Sequence, residues 1–142
     1  MAAVDTRSTG AQPSQDEILM FHGLMLAAAA RGSLDRKGLA ALEAFFNTLP
    51  EFTGRDFDML LSKSRALQAR FPSAKASAQV LTELKDNGRR LQLFTLALDL
   101  ALSHGALDEP MEATLETLVQ TLGIHEETAA KILSVLMLKY RR

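Results

Sequence analysis

The side chains in this chain best able to do chemistry are carboxylates and imidazoles gathered around two similar stretches. Asp35 stands in "ARGSLDRKGLAALEAFFNTL", residues 30–49. Asp108, with Glu109 and Glu112, stands in "SHGALDEPMEATLETLVQTL", residues 103–122, where His104 precedes them. Carboxylates so placed could hold a cation, act as an acid–base pair, or accept hydrogen bonds from the free N–H groups that open a helix. A hard cation such as calcium wants six or more oxygens, several of them charged. Asp35 instead has Arg31, Arg36 and Lys37 as neighbours, so no metal site is expected. The pairs Asp108/Glu109 and Glu126/Glu127 each fall at the start of an apolar helical pattern, where the helix dipole favours negative charge. They read as caps rather than as catalytic dyads.

The three histidines, His22, His104 and His125, show neither HExxH nor HxxxH spacing, so a zinc site has no local basis. His22 lies within an apolar helix and is expected at the edge of the core, hydrogen-bonded to a neighbour. His104 falls at a helix C-terminus, where a positive charge is favoured. The chain has no Cys, no GxSxG and no Gly-rich phosphate loop, which removes the thiol, serine-elbow and phosphate-cradle routes to catalysis. The expectation is a protein that is not an enzyme and takes no cofactor.

Asp99 poses a separate question. In "RRLQLFTLALDLALS", residues 89–103, Gln92, Thr95, Asp99 and Ser103 recur three and four apart and form one polar seam on an otherwise apolar rod. A carboxylate there must be paired or solvated, because an unpaired buried charge is costly. Thr95, Ser103, a base from another helix, or water could serve it. The seam could also line a groove for a partner.

These residues need elements to position them, and the sequence predicts only helices. Ser14 with Glu17 makes a capping box, opening a helix to about Ala30. A second helix follows Asp35 and stops at Pro50. A third follows Thr53, carries Phe57, Leu60, Leu61, Leu67 and Phe71 on one stripe, and ends at Pro72. A fourth runs from Ser73 through Val80, Leu81 and Leu84 to "DNG", with Gly88 as a left-handed cap. The fifth is the seam helix, 89–103. The sixth follows Asp108 and ends at Gly123. The seventh follows "IHEE" and buries Ala129, Ile132, Leu133 and Leu136. No run alternates with period two. The fold class is therefore all-α, a compact bundle of about seven helices, with residues 1–13 a mobile arm and 14–142 a single domain.

Shifting the first stretch by 73 residues sets Gly32 on Gly105, Leu34 on Leu107, Asp35 on Asp108, and Thr48-Leu49 on Thr121-Leu122. Each copy encodes a buried helix, a glycine corner, a leucine that docks back, and an aspartate-capped helix. Two related helical hairpins, about 15–71 and 73–140, are expected to face each other about a pseudo-twofold axis.

This pattern, a buried helix, then Gly-x-Leu-Asp, then an amphipathic helix that in the second copy ends in "LGI", resembles the tellurite-resistance TerB-like family. "LFTLALDLALSHGALDEPMEATLETLVQTLGI", 93–124, carries the resemblance best, and 24–49 is a weaker copy. The resemblance implies an all-helical fold with an internal repeat and a role in tellurite or general stress resistance. It also raises metal binding through acidic surfaces. The family's acid before glycine is replaced here by Arg31 and His104, and its later Glu by Gly38 and Met111. The expected function is a protein-interaction or scaffold module whose surface includes Asp35, Asp99, His104, Asp108 and Glu112. The alternative is a metal-ion or small-ligand sensor using the corner acids.

The net charge of −1, from 16 basic and 17 acidic residues interspersed along the chain, lacks the basic footprint of a nucleic-acid binder. "ILMFHGLMLAAAA", 18–30, falls short of the about 20 apolar residues that span a bilayer. Asp16 and Glu17 sit where an export signal carries basic residues. The reading is a cytoplasmic protein without an integral membrane segment, whose partners are other proteins. The basic tail "KYRR", 139–142, is expected to be a solvated end. Surplus apolar residues Val135, Met137 and Leu138 hint at a homodimer contact, or else mark a deeply packed last helix.

Overall fold

The computed structural model describes residues 12–30, 34–105 and 107–141. Among them the chain forms seven α-helices and no strand: α1 (Gln15–Ala28), α2 (Arg36–Phe46), α3 (Phe57–Ala69), α4 (Ala74–Ser77), α5 (Asn87–Ser103), α6 (Glu109–Leu122) and α7 (Glu126–Lys139). Short 3-10 segments lie at Pro50–Phe52 and Ala78–Glu83. The all-helical expectation holds; the arm at 1–13 falls almost wholly outside the described residues.

Helix α1 is the axis of the fold. The predicted capping box forms, with Glu17 N–H donating to Ser14 Oγ at 3.1 Å and Ser14 N–H to Glu17 Oε1 at 2.7 Å. Arg55 Nε then bonds both Glu17 oxygens at 3.0 Å and ties the helix start to the loop before α3. Burial works to raise the Glu17 carboxyl, but the Ser14 and Arg55 hydrogen bonds and the Arg55 charge outweigh it and hold the group below its ordinary range. Every residue from Leu19 to Ala27 is buried, so α1 is wrapped on all sides, chiefly by α5 and α3. At Gly23 a Cβ would stand 2.7 Å from Leu93 Cδ1; the missing side chain is what lets α1 and α5 approach. Phe21 of α1 meets Phe46 and Phe57 edge-on at 5.8 and 5.5 Å, and Phe46 stacks on Phe52 at 4.9 Å. That aromatic cluster joins α1, α2, the first 3-10 turn and α3.

Three boundaries differ from the sequence reading, each for a local reason. Helix α3 is capped by Asp56, whose carboxylate accepts from Asp58 N–H at 2.9 Å, and not by Thr53. Thr53 instead ends the 3-10 turn, ahead of Gly54 with φ +80. The fourth helix is only one α-turn before it tightens to 3-10 geometry. Ala78, Leu81 and Leu84 are all buried, and spacing of three fits the three residues per turn of a 3-10 helix. Gly88 is no left-handed cap. Asp86 accepts from Arg89 N–H at 3.0 Å and starts α5 at Asn87, leaving Gly88 inside the first turn.

The end of α6 follows the sequence. Gly123 takes φ +66, Ile124 N–H donates to Val119 O at 3.0 Å, and Gly123 N–H donates to Gln120 O at 3.2 Å. This is a Schellman stop. Arg90 of α5 donates to Leu122 O at 3.1 Å, to Thr82 O at 2.9 Å and to Leu84 O, so one guanidinium gathers the loose carbonyls of two segments.

Helix α7 lies outermost. Its main neighbour is α5, and no residue in it is fully buried. Ala129, Ile132, Leu133 and Leu136 turn toward the core as predicted but are only partly covered.

Candidate functional site

The two helix caps are built alike. Asp35 accepts from Gly38 N–H at 2.7 Å and caps α2, while Asp108 Oδ1 accepts from Met111 N–H at 3.1 Å and caps α6. In both, the backbone carbonyl of the aspartate also takes the first intrahelical bond, from Leu39 N–H at 2.8 Å and Glu112 N–H at 2.9 Å. Leu34 and Leu107 pack against the core just before each cap. Gly105 has φ +116, a region that favours glycine. Gly32, its predicted counterpart, lies outside the described residues, as does Arg31.

Of the five expected surface residues, His104, Asp108 and Glu112 share the α5–α6 corner. His104 is the C-terminal cap residue of α5, and Glu112 lies exposed in the first turn of α6. Asp35 stands at the other corner. Among the described residues no three His, Asp or Glu side chains gather as a metal-binding group. An open cavity of about 280 Å³ lies between the end of α1, α4 and α6, lined by Leu26, Ala29, Ala78, Ala113 and Leu118 with Lys75 at its edge. None of the five expected residues lines it.

Asp99 is half-buried and is served by the end of α7. Lys139 Nζ donates to its Oδ1 and Oδ2 at 3.1 and 3.0 Å, and the Tyr140 hydroxyl donates to Oδ1. Thr95 and Ser103, considered as partners, bond instead to the carbonyls of Leu91 and Leu100 at 2.8 and 2.6 Å. Thus the expected solvated end is exposed at Lys139 and Arg141 but tied to Asp99 through Lys139 and Tyr140. They lock the last turn of α7 onto the middle of α5. The hydrogen bond to Asp99 leads in raising the Lys139 ammonium above its ordinary value. Burial, then the Asp99 contact and charge, raises the Tyr140 phenol.

His22 is not at the core edge but fully buried. Its Nε2 faces the Ser77 carbonyl at 3.3 Å and its Nδ1 the Ser64 hydroxyl at 2.8 Å. A carbonyl only accepts, so Nε2 carries the proton and Nδ1 accepts from Ser64. Burial lowers its affinity for a second proton, and the Ser77 bond only partly opposes this. The imidazole is a neutral, buried strut joining α1, α3 and α4.

With Asp99 holding one side of α7, the opposite side is left open. Val135, Met137 and Leu138 are 65, 53 and 69% exposed. Glu127, Ala130, Lys131, Ser134 and Arg141 are exposed beside them. Glu127, then Ala130 and Lys131, then Ser134, then Met137 and Leu138 recur about three or four apart along α7, so they form a single outward stripe, which Arg141 follows just past the helix end. Acids (Glu126, Glu127) open the helix and bases (Lys139, Arg141) close it. Val135, Met137 and Leu138 were legible as surplus apolar residues; their role as the outer face of a half-docked helix was not.

No helix of the described residues is long and apolar enough to cross a membrane. Comparison with protein-family models, curated proteins and solved structures finds no match to this chain.

Proposed function

We propose that this chain is a non-enzymatic, TerB-like helical module, a protein-interaction or scaffold component of a tellurite or stress-response system, and that it makes contact through the outward face of α7. The observation that carries this reading is the open face itself. A helix locked in place by Asp99 presents Val135, Met137 and Leu138 to solvent. Apolar residues clustered on a fixed surface and rimmed by charge mark a contact site more often than a stray exposure. The corner acids enter as structure: Asp35 and Asp108 set the entry of α2 and α6 through their caps. Their repeated geometry supports the resemblance and the paired-hairpin reading of the chain.

The test is affinity capture with three baits: wild type, the pair Met137→Asp/Leu138→Asp, and the pair Asp35→Asn/Asp108→Asn. A partner held by the first and third and lost by the second supports the reading. Retention of every partner by the α7 variant overturns it. Stoichiometric binding of calcium, manganese or zinc at about 100 µM or tighter in calorimetry, abolished by Asp108→Asn, would favour the metal-sensor alternative.

A further inference from the structure

We infer that the partner fitted to the α7 face is a second copy of the same helix, packed antiparallel about a twofold axis; this rests on the protein-contact reading of that face. A twofold interface must be self-complementary, because each patch meets its own image. The stripe meets that condition in charge and in size.

Charge runs lengthwise along the outer face of α7, from Glu126 and Glu127 in its first turn to Arg141 just past its end, Lys139 being held by Asp99. Parallel pairing brings like ends together. Antiparallel pairing sets the acidic end of each copy against the basic end of the other and opposes the helix dipoles. Glu127 is 82% exposed at its side chain and pairs with Lys131 of its own helix at 3.4 Å, so its carboxylate is accessible to a second cation.

Size complements in the same register. The small residues of the stripe, Ala130 and Ser134, precede its large apolar ones, Met137 and Leu138, along the helix. With the axis passing between Ser134 and Met137, each Met137 lies over the other copy's Ser134. Each Arg141, just past the helix end, then comes near the other copy's Ala130, about one turn from Glu127. Large residues fill the space that small ones leave, as close helix packing requires. Val135 flanks the seam and closes it from one side.

The 14-residue helix is about 21 Å long at about 1.5 Å per residue. One such pair buries less than the about 1,200 Å² of a standard stable interface. The dimer is therefore weak, with a dissociation constant between about 10 µM and 1 mM.

Sedimentation equilibrium of the full chain from about 5 to 500 µM, at low and high salt, tests this. The expected result is a monomer–dimer equilibrium weakened by salt and weakened at least about tenfold by Met137→Asp. Glu127→Arg alone and Arg141→Glu alone each weaken pairing, since each brings like charges within about one turn of each other. The double exchange Glu127→Arg/Arg141→Glu restores it, which a merely structural role for either residue would not do. A dimer indifferent to Met137→Asp overturns the proposal, and failure of the double exchange to restore pairing overturns the antiparallel arrangement. A wild-type monomer throughout the range overturns self-pairing; the protein-contact reading is judged separately by the capture experiment.

Discussion

Lys139 Nζ lies 3.0 Å from Asp99 Oδ2, a contact between residues 40 apart in sequence, and the adjacent Tyr140 hydroxyl donates to the same carboxylate. One acid of α5 therefore fixes the end of α7 and decides which side of that helix faces outward. The Lys139 side chain is 56% exposed and that of Asp99 only 15%, so solvent screens the ion pair from one side. What it contributes is orientation more than stability.

Tyr140 is the only tyrosine and the chain has no tryptophan, so ultraviolet titration of phenolate reads this contact alone. Both Tyr140 and Lys139 are raised in the fold. Groups raised on folding contribute fully below their unfolded values and lose that contribution as pH climbs through the folded ones. Docking of α7 is thus expected to hold through neutral pH and to fail above about pH 10. Asp99→Asn should move the tyrosine midpoint down toward its ordinary value and leave most of the helical circular dichroism intact.

His22 predicts the opposite pH sensitivity. Its folded value is lowered by burial, so its contribution is whole above about pH 6.5 and fades as pH falls from there through the folded value. Denaturant midpoints should drop on acidification through this window, and His22→Gln should flatten the slope. Ser64→Ala leaves the Nδ1 acceptor unsatisfied and should cost about 1–3 kcal/mol. An unchanged slope in His22→Gln would show that other groups set the acid limit.

The caps are tested by comparing two substitutions. Replacing an N-cap aspartate by alanine costs about 1 kcal/mol, whereas asparagine caps nearly as well. Asp35→Ala and Asp108→Ala should therefore each lower stability by about that amount, with the Asn variants close to wild type. Equal losses for Ala and Asn would mean that the negative charge itself is needed, and would revive the cation-binding alternative.

What the sequence disclosed and what it hid divide along the range of the interaction. Ser14 with Glu17, Asp35, Asp108 and Gly123 were legible because capping joins residues three to five apart. The same local signals misled where two competed. Asp86 as an N-cap prevailed over Gly88 as a stop, and Asp56 prevailed over Thr53. The 3-10 segment at Ala78–Glu83 was hidden because Val80, Leu81 and Leu84 suit an α-helix almost as well. The partners of Asp99 and His22 lie 40 to 55 residues away, and no local rule selects them. The bonds of Arg90 to the Leu122 and Thr82 carbonyls, 32 and 8 residues away, were hidden for the same reason.

The central claim, that α7 offers its outer face to another protein surface, is read most directly at the Met137 methyl group. Of the chain's six methionines, Met20, Met25 and Met111 are buried while Met137 is 53% exposed, and loss of one signal in Met137→Leu assigns it. In a methyl-methionine NMR spectrum the account predicts that the Met137 resonance moves on concentration from about 20 µM to 1 mM, or on addition of a captured partner, while the buried methyls stay fixed. A Met137 signal unmoved under both conditions would contradict it.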